Sequence, residues 1–133
     1  MPASNLSMIH KLQTAINMNG GALLLDRSQF FSEEQNRPIT MYRVCEVTGV
    51  RNKLGHKKKD CLFETASQIQ VVLFLRDYWF VMNGKKLPPI VNNKKWGEIR
   101  EAHLDSFKSA EKLNELRLRR LEGTHGSEKA DEN

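Results

Sequence analysis

The sequence predicts an α+β domain in which a helix, a three-stranded antiparallel sheet, a buried helix and a long C-terminal helix follow one another. Three observations favour this class. Apolar residues recur at helical spacing near both ends of the chain. Short segments rich in β-branched and aromatic residues lie between them, and an apolar run at 71–82 sits between a helix cap and a glycine. A small sheet with one face on helices satisfies this order.

The first helix is predicted to begin at Asn5 or Ser7 and to end at Asn19, because Gly20 supplies the left-handed conformation that closes helices. Three strands are predicted after it, at Ala22–Phe31, Ile39–Val47 and Asp60–Phe63. The composition of Ser32–Pro38 indicates a turn between the first two strands, and Thr48-Gly49 is expected to end the second.

The second predicted hairpin brings the two cysteines of the chain together. If the chain folds back about Lys53, Cys45 and Cys61 lie roughly opposite one another, with Cβ atoms about 4.5–5.5 Å apart. Two cysteines do not make the disulfide framework of a secreted protein. We interpret the pair as two small buried thiols rather than as a disulfide or a redox switch.

The segment Ser67–Asn83 is predicted to be the central buried helix. Ser67 and Gln70 have the spacing of a capping box, and Gly84 follows the apolar residues as a stop signal. The β-branched and aromatic residues of this segment make a long strand the rival interpretation. Its cap, its length and its terminal glycine favour a helix.

A last helix is predicted to begin near Asn92 or Asn93, after an extended linker at Pro88-Pro89. The 133 residues suit one domain, which is predicted over residues 5–121, and the polar residues 122–133 are expected to form a disordered tail. We recognise neither a signal peptide nor an apolar run of bilayer length. We therefore expect a cytoplasmic protein that has no membrane partner.

The formal net charge of +5 fits within one nine-residue stretch, Arg51–Lys59, which we call the basic segment. It contains five of the 21 Lys and Arg residues and no acid, which leaves 16 basic residues to balance 16 acidic ones. Like charges around Gly55 repel one another, so an exposed loop tip is expected. Ammonium groups there could neutralise phosphates without reading base sequence, and a protonated His56 would add a donor.

The candidate nucleic-acid-binding residues are therefore Arg51, Lys53, His56, Lys57, Lys58 and Lys59, with Lys94 and Lys95 as an additional pair. A solvated hairpin loop and a contact with an acidic protein are the alternatives. Aromatic side chains interleaved with these lysines would favour nucleic acid. Four would be available for stacking if one sheet face lacks a helix, namely Phe30, Phe31, Tyr42 and Phe63.

A second basic cluster, formed by Arg117, Arg119 and Arg120, lies near the end of the last helix. Cations there suit the helix dipole, and Glu115 can pair with Arg119 at i,i+4, so local stabilisation explains the cluster. Contact with a partner protein is the functional alternative.

Catalytic chemistry has little support in the sequence. The histidines are scattered, no Cys/His spacing matches a zinc site, and neither a phosphate-cradling loop nor a nucleophile elbow is found. Asp77 is the ionisable residue to examine, and we expect it at the solvent boundary of its helix or paired with an arginine; His103 is expected at a helix interface. We predict no catalytic residue, no metal, no cofactor and no enzyme activity.

Two stretches, Ile16–Phe30 and Thr65–Trp79, with Pro38-Ile39-Thr40 between them, resemble small uncharacterised accessory proteins of phages and conjugative elements of Gram-positive bacteria. The resemblance implies a mobile-element setting and assigns no functional residue. The order of helix, three strands and helix also resembles a double-stranded-RNA-binding domain. The lysines that such a domain carries at the start of its second helix are replaced here by Thr65–Gln68.

These observations predict a non-enzymatic accessory protein that binds DNA or RNA, or a nucleoprotein complex, through the basic segment. One alternative is a protein-binding inhibitor of host defence or replication machinery. A second alternative is an assembly factor that forms a homodimer through its C-terminal helix.

Overall fold

A computed structural model describes the backbone of residues 4–51, 53–91 and 93–132, and the side chains of the same residues except 50, 51 and 123–132. The helices are α1 (Asn5–Met18), α2 (Gln68–Met82), α3 (Lys94–Ala102) and α4 (Lys108–Glu132). The strands are β1 (Leu23–Ser32), β2 (Arg37–Arg51) and β3 (Lys57–Thr65). The predicted α+β class, antiparallel three-stranded sheet and long C-terminal helix are confirmed.

Strand β2 is the central strand and is antiparallel to both neighbours. Its register with β1 is uninterrupted from the pair Leu23 and Glu46 to the pair Ser32 and Arg37. Since side chains alternate along a strand, every second residue points toward the helices. The side of the sheet that meets the helices, here called the covered face, carries Leu23, Leu25, Tyr42, Val44 and Phe63. The opposite side, the open face, carries Leu24, Asp26, Arg43, Cys45, Lys59 and Glu64.

A bulge in β3 contacts the segment that precedes α4. Val44 pairs with Phe63 and the next pair is Cys45 with Cys61, so Leu62 is an extra residue. The bulge lets Leu62 and Phe63 both pack on the core. The Ser106 hydroxyl donates to the Leu62 carbonyl at 2.6 Å, which holds the segment before α4 against β3.

The core lies between the covered face and α2. Phe63 stacks on Phe74 with ring centroids 4.9 Å apart and meets Trp96 edge-on at 5.5 Å. Phe74 in turn stacks on Phe107 at 5.1 Å. This row of rings joins β3, α2, α3 and the segment before α4, so the helices are held over one face of the sheet.

The start of α2 is capped by a variant of the predicted capping box. The Ser67 hydroxyl accepts from the Gln70 backbone N–H at 3.4 Å, as expected. The Gln70 side chain does not return to Ser67. Instead, the Thr65 hydroxyl accepts from the Ser67 N–H at 3.1 Å and donates to Gln70 Oε1 at 2.6 Å. Thr65 therefore replaces half of the expected box.

The predicted stop after α2 is a complete Schellman motif. Lys85 N–H donates to the Phe80 carbonyl at 2.9 Å, and Gly84 N–H donates to the Val81 carbonyl at 3.0 Å. Gly84 has a φ of 73°, which only glycine adopts without strain.

The second hairpin is longer than the sequence predicted. β2 runs to Arg51 rather than ending at Thr48-Gly49, and β3 begins at Lys57 rather than at Asp60. Lys57–Lys59 was expected in a loop because like charges around Gly55 repel one another. These lysines are in β3 because the backbone of Lys57 pairs with that of Arg51.

The C-terminal helical region begins as predicted but is divided. Asn93 caps α3 by accepting from the Trp96 N–H, and a 3₁₀ turn at Leu104–Phe107 separates α3 from α4. No glycine or proline marks this break, which follows from the tertiary contact between the turn and β3. The backbone of α4 is helical to Glu132, over the stretch that was expected to be a disordered tail. Good helix formers in the stretch, Glu, Lys and Ala, offset its two glycines.

Candidate nucleic-acid interface

The three consecutive lysines of the basic segment lie on the first residues of β3. Arg51 pairs with Lys57 and Val47 pairs with Lys59, with an irregularity in β2 between these pairs. The Thr48 hydroxyl donates to the Lys58 carbonyl at 3.2 Å. The lysines are therefore positioned by a two-stranded β-ribbon formed by β2 and β3.

Strand alternation divides the lysines between the two faces of this ribbon. Lys59 is on the open face, because its Nζ lies 3.3 Å from Asp26 Oδ2. Lys57 shares that face, since it is two residues away, and Lys58 points to the opposite side.

Most of the ammonium groups are unneutralised within the described part of the chain. Lys53, Lys57 and Lys58 are exposed, and they form no ion pair with any residue that the structure describes. Lys59 is the exception through its contact with Asp26. His56 is exposed, and the side chain of Arg51 lies outside the described side chains.

Lys94 and Lys95 form the first turn of α3, and both are exposed. The next residue, Trp96, is buried against Phe63 of β3. Trp96 thus contacts β3 at Phe63, which lies four to six residues beyond Lys57–Lys59 on that strand.

The arginine cluster of α4 is partly engaged within the chain. Arg117 donates to Asn83 Oδ1 at 3.2 Å and to Asn114 Oδ1 at 2.9 Å. The contact with Asn83 joins α4 to the C-terminus of α2, and the contact with Asn114 lies within α4. Arg119 and Arg120 are exposed, and the ion pairs between described residues do not include Glu115 with Arg119.

The aromatic side chains do not accompany the lysines. Tyr42 and Phe63 are buried under the helices. Phe30 and Phe31 are 47% and 60% exposed, but they lie beside the turn that joins β1 to β2. That turn and the basic segment lie at opposite ends of β2, a 15-residue strand whose length is about 50 Å at roughly 3.3 Å per residue. Any contact with nucleic acid at the lysines must therefore be made mainly with phosphates.

Asp77 is fully buried. The expectation that it lies at the solvent boundary of its helix is therefore wrong. Its Oδ1 accepts from Arg76, and its Oδ2 accepts from Trp96 Nε1 at 2.9 Å and from Arg100 Nη1 at 3.2 Å. Arg100 also donates to the Pro88 carbonyl at 2.8 Å. The expected pairing with an arginine is thus found, and it joins α2, α3 and the linker between them.

His103 lies at a helix interface, as expected. One ring nitrogen is 2.8 Å from the Ile99 carbonyl, and the ring meets Phe63 edge-on with centroids 5.2 Å apart.

The two cysteines pair across β2 and β3 as predicted, but they differ in burial. Cys45 is buried, whereas Cys61 is exposed, which corrects the expectation of two buried thiols. Burial raises the pKa of Cys45 to about 11, helped by the neighbouring Cys61 and Asp26. Its thiol lies 3.8 Å from Asp26 Oδ2. Cys45 is therefore a poor nucleophile and metal ligand at neutral pH.

The described residues contain no group of three or more His, Cys, Asp and Glu side chains that could hold a metal ion. None of the helices in the described ranges combines the length and the apolar character that a bilayer crossing requires.

An open cavity of about 550 Å³ is lined by Arg27, Gln29, Thr40 and Tyr42. Sequence reasoning named Tyr42 only as a stacking candidate and did not connect it with Arg27, Gln29 or Thr40. The four residues face one another only because of the register between β1 and β2. Comparison of the chain with protein-family models, curated proteins and solved structures finds no match.

Proposed function

We propose that this protein binds the phosphate backbone of nucleic acid through the basic segment. The observation that carries the proposal is the set of exposed ammonium groups on Lys53, Lys57 and Lys58, which no described carboxylate neutralises. Each lysine that contacts a phosphate releases condensed counterions, which favours binding without base specificity.

The division of the lysines between two faces favours a duplex with an accessible groove. A two-stranded β-ribbon fits the major groove of B-DNA, which is about 12 Å wide. In such a pose Lys57 and Lys59 would face one wall of phosphates, and Lys58 would face the other. The major groove of A-form RNA is too narrow for a ribbon, so we propose double-stranded DNA as the preferred form.

Lys94 and Lys95 are proposed as flanking contacts, since α3 packs through Trp96 on the strand that carries the other lysines. The setting we propose is a cytoplasmic accessory protein of a mobile element, in keeping with the resemblance noted in the sequence. We propose no catalytic role for the buried carboxylate of Asp77, because both of its oxygens accept structural hydrogen bonds.

Fluorescence anisotropy with labelled duplex DNA, duplex RNA and single strands tests this function. Replacing Lys57, Lys58 and Lys59 together by Ala should weaken DNA binding at least roughly tenfold, because three phosphate contacts are lost. The melting temperature should fall by no more than about 4 °C, since all three side chains are exposed and the Lys59–Asp26 pair is worth at most about 1 kcal/mol.

The matched control removes three exposed lysines elsewhere, Lys11, Lys86 and Lys112, and so changes the net charge equally. Its DNA affinity should fall much less. Equal losses in the two triple variants would mean that net charge, and not the basic segment, governs binding.

A second function is favoured by one observation on α4. Leu116, Leu118 and Leu121, in the middle of α4, are 41%, 45% and 56% exposed, so three large apolar side chains within six residues are accessible to solvent. We propose contact with a protein there, either a second copy of the chain or a host target that the protein inhibits. Sedimentation would reveal the dimer. A pull-down that survives nuclease and high salt would reveal the target.

A further inference from the structure

Toward the turn that joins β1 to β2, the helices cover the covered face only in part, since Tyr42 is buried but Arg27 and Gln29 are exposed. There Arg27 pairs with Tyr42 and Gln29 pairs with Thr40, so the four side chains form a two-by-two array on one face. They line the cavity of about 550 Å³. An adjoining cavity of about 290 Å³ shares Thr40 and Tyr42 with it.

The hydroxyl groups of Thr40 and Tyr42 can each donate a hydrogen bond to a ligand. Gln29 Nε2 donates to Thr40 Oγ1 at 3.3 Å, and Gln68 Nε2 donates to the Tyr42 hydroxyl at 2.7 Å. A hydroxyl that accepts a hydrogen bond keeps its own proton for another acceptor. Among the residues that the structure describes, neither proton has an acceptor, so both are available toward the cavity.

The charged groups at this site are all positive. Arg27 is exposed and forms no ion pair with a described residue. Arg37 lines the adjoining cavity, and its Nε donates to Gln35 Oε1 at 2.9 Å. The residues that line the two cavities include no Asp or Glu. Ala66 and Gln68 at the N-terminus of α2 also line the adjoining cavity, and a helix N-terminus favours negative charge.

We propose that this concavity, which we call the arginine groove, binds a small molecule through a phosphate group. Its side-chain donors are a guanidinium fork and two hydroxyls, and a guanidinium matches phosphate oxygens bidentately. A cavity of this volume accommodates a small ligand, since typical ligand sites measure about 300–1,000 Å³. The arginine groove lies at the opposite end of β2 from the basic segment and does not depend on the proposed nucleic-acid binding.

Titration of the full chain with inorganic phosphate and with a nucleoside 5′-monophosphate, followed by two-dimensional NMR, tests the proposal. We expect saturable shifts that centre on Arg27, Gln29 and Thr40. Arg27→Gln should weaken binding at least roughly tenfold, because a charge-assisted contact is lost. Thr40→Val and Tyr42→Phe keep the shape of the site and should each weaken binding about three- to tenfold.

Two controls separate the arginine groove from the basic segment. Lys57→Gln removes an equal charge at the other end of β2 and should leave nucleotide binding unchanged, whereas Arg27→Gln should leave DNA binding nearly unchanged. The proposal would be overturned if no saturable shifts were seen, or if Arg27→Gln and Thr40→Val bound as tightly as the unaltered protein. Succinate binding as tightly as phosphate would also overturn it.

Discussion

The ammonium group of Lys59 lies 3.3 Å from the carboxylate of Asp26, across the central strand β2. The two side chains are 44% and 40% exposed, so the pair is worth at most about 1 kcal/mol. A phosphate can therefore replace the carboxylate. Among the ion pairs between described residues, this contact is the one that neutralises a lysine of the basic segment.

Asp26→Asn should strengthen DNA binding. The substitution frees Lys59 and removes a negative charge from the open face, and we expect a gain of about two- to fivefold, in line with the small energy of an exposed pair. Anisotropy at constant salt measures it. Asp105→Asn is the matched control, because it removes an equal charge from the exposed pair with Lys108. A gain as large in the control would attribute the effect to net charge alone.

Asp77→Ala should destabilise the fold by about 3–5 kcal/mol, because it leaves two arginines and an indole N–H without their buried acceptor. Urea unfolding measures the change in the free energy of unfolding. Asp105→Ala breaks an exposed pair and should cost less than about 1 kcal/mol. A small effect at Asp77 would show that Arg100 holds the linker through Pro88 alone.

Cys45 should react slowly with iodoacetamide at neutral pH. Its pKa of about 11 leaves on the order of one thiol in a thousand ionised at pH 8, and the side chain is buried. In the Cys61→Ser variant burial still raises the pKa of Cys45, so the labelling rate should rise about tenfold per pH unit above neutral pH. The exposed Cys61 of a Cys45→Ser variant serves as the control, with mass spectrometry as readout. Rapid labelling of Cys45 at pH 7 would contradict this account.

The raised pKa of Cys45 should also make the stability of the fold depend on pH. The folded-state pKa of Cys45 is raised, so the folded state holds the thiol proton over a range in which the unfolded chain has lost it. The contribution of Cys45 to stability is therefore fully present below its ordinary pKa of 9.0 and is lost as the pH rises toward 11. Urea unfolding between pH 8 and pH 11 should show a smaller decline in Cys45→Ser than in the unaltered protein.

Local signals in the sequence were sufficient for the order of elements. Ser67 and Asn93 are hydrogen-bonding caps, and Gly20 and Gly84 have the positive φ values expected of helix stops. Each of these features depends on contacts within a few residues. That is why the α+β class and the antiparallel sheet could be predicted without knowledge of the packing.

Features that depend on pairing between distant segments were missed. The lysines at 57–59 carry little strand propensity, and they enter β3 because their backbone pairs with β2. The break between α3 and α4 depends on Ser106 reaching Leu62, 44 residues earlier.

The arginine groove was missed for the same reason. The pairing of Arg27 with Tyr42 is set by the register of the hairpin, which the sequence alone did not give. A signal was present nonetheless. Polar residues at two-residue spacing, Arg27 and Gln29 on one strand and Thr40 and Tyr42 on the next, flank a turn symmetrically. Alternation of this kind places them on one face.

The salt dependence of DNA binding tests the central claim most directly. For duplex DNA, the logarithm of the binding constant falls with the logarithm of salt concentration with a slope of about −0.9 per phosphate contact. Replacement of Lys57, Lys58 and Lys59 by Ala should make that slope shallower by about 2–3, whereas the Lys11, Lys86 and Lys112 control should keep the original slope. An identical slope in the unaltered protein and the first variant would show that these lysines do not touch the phosphates.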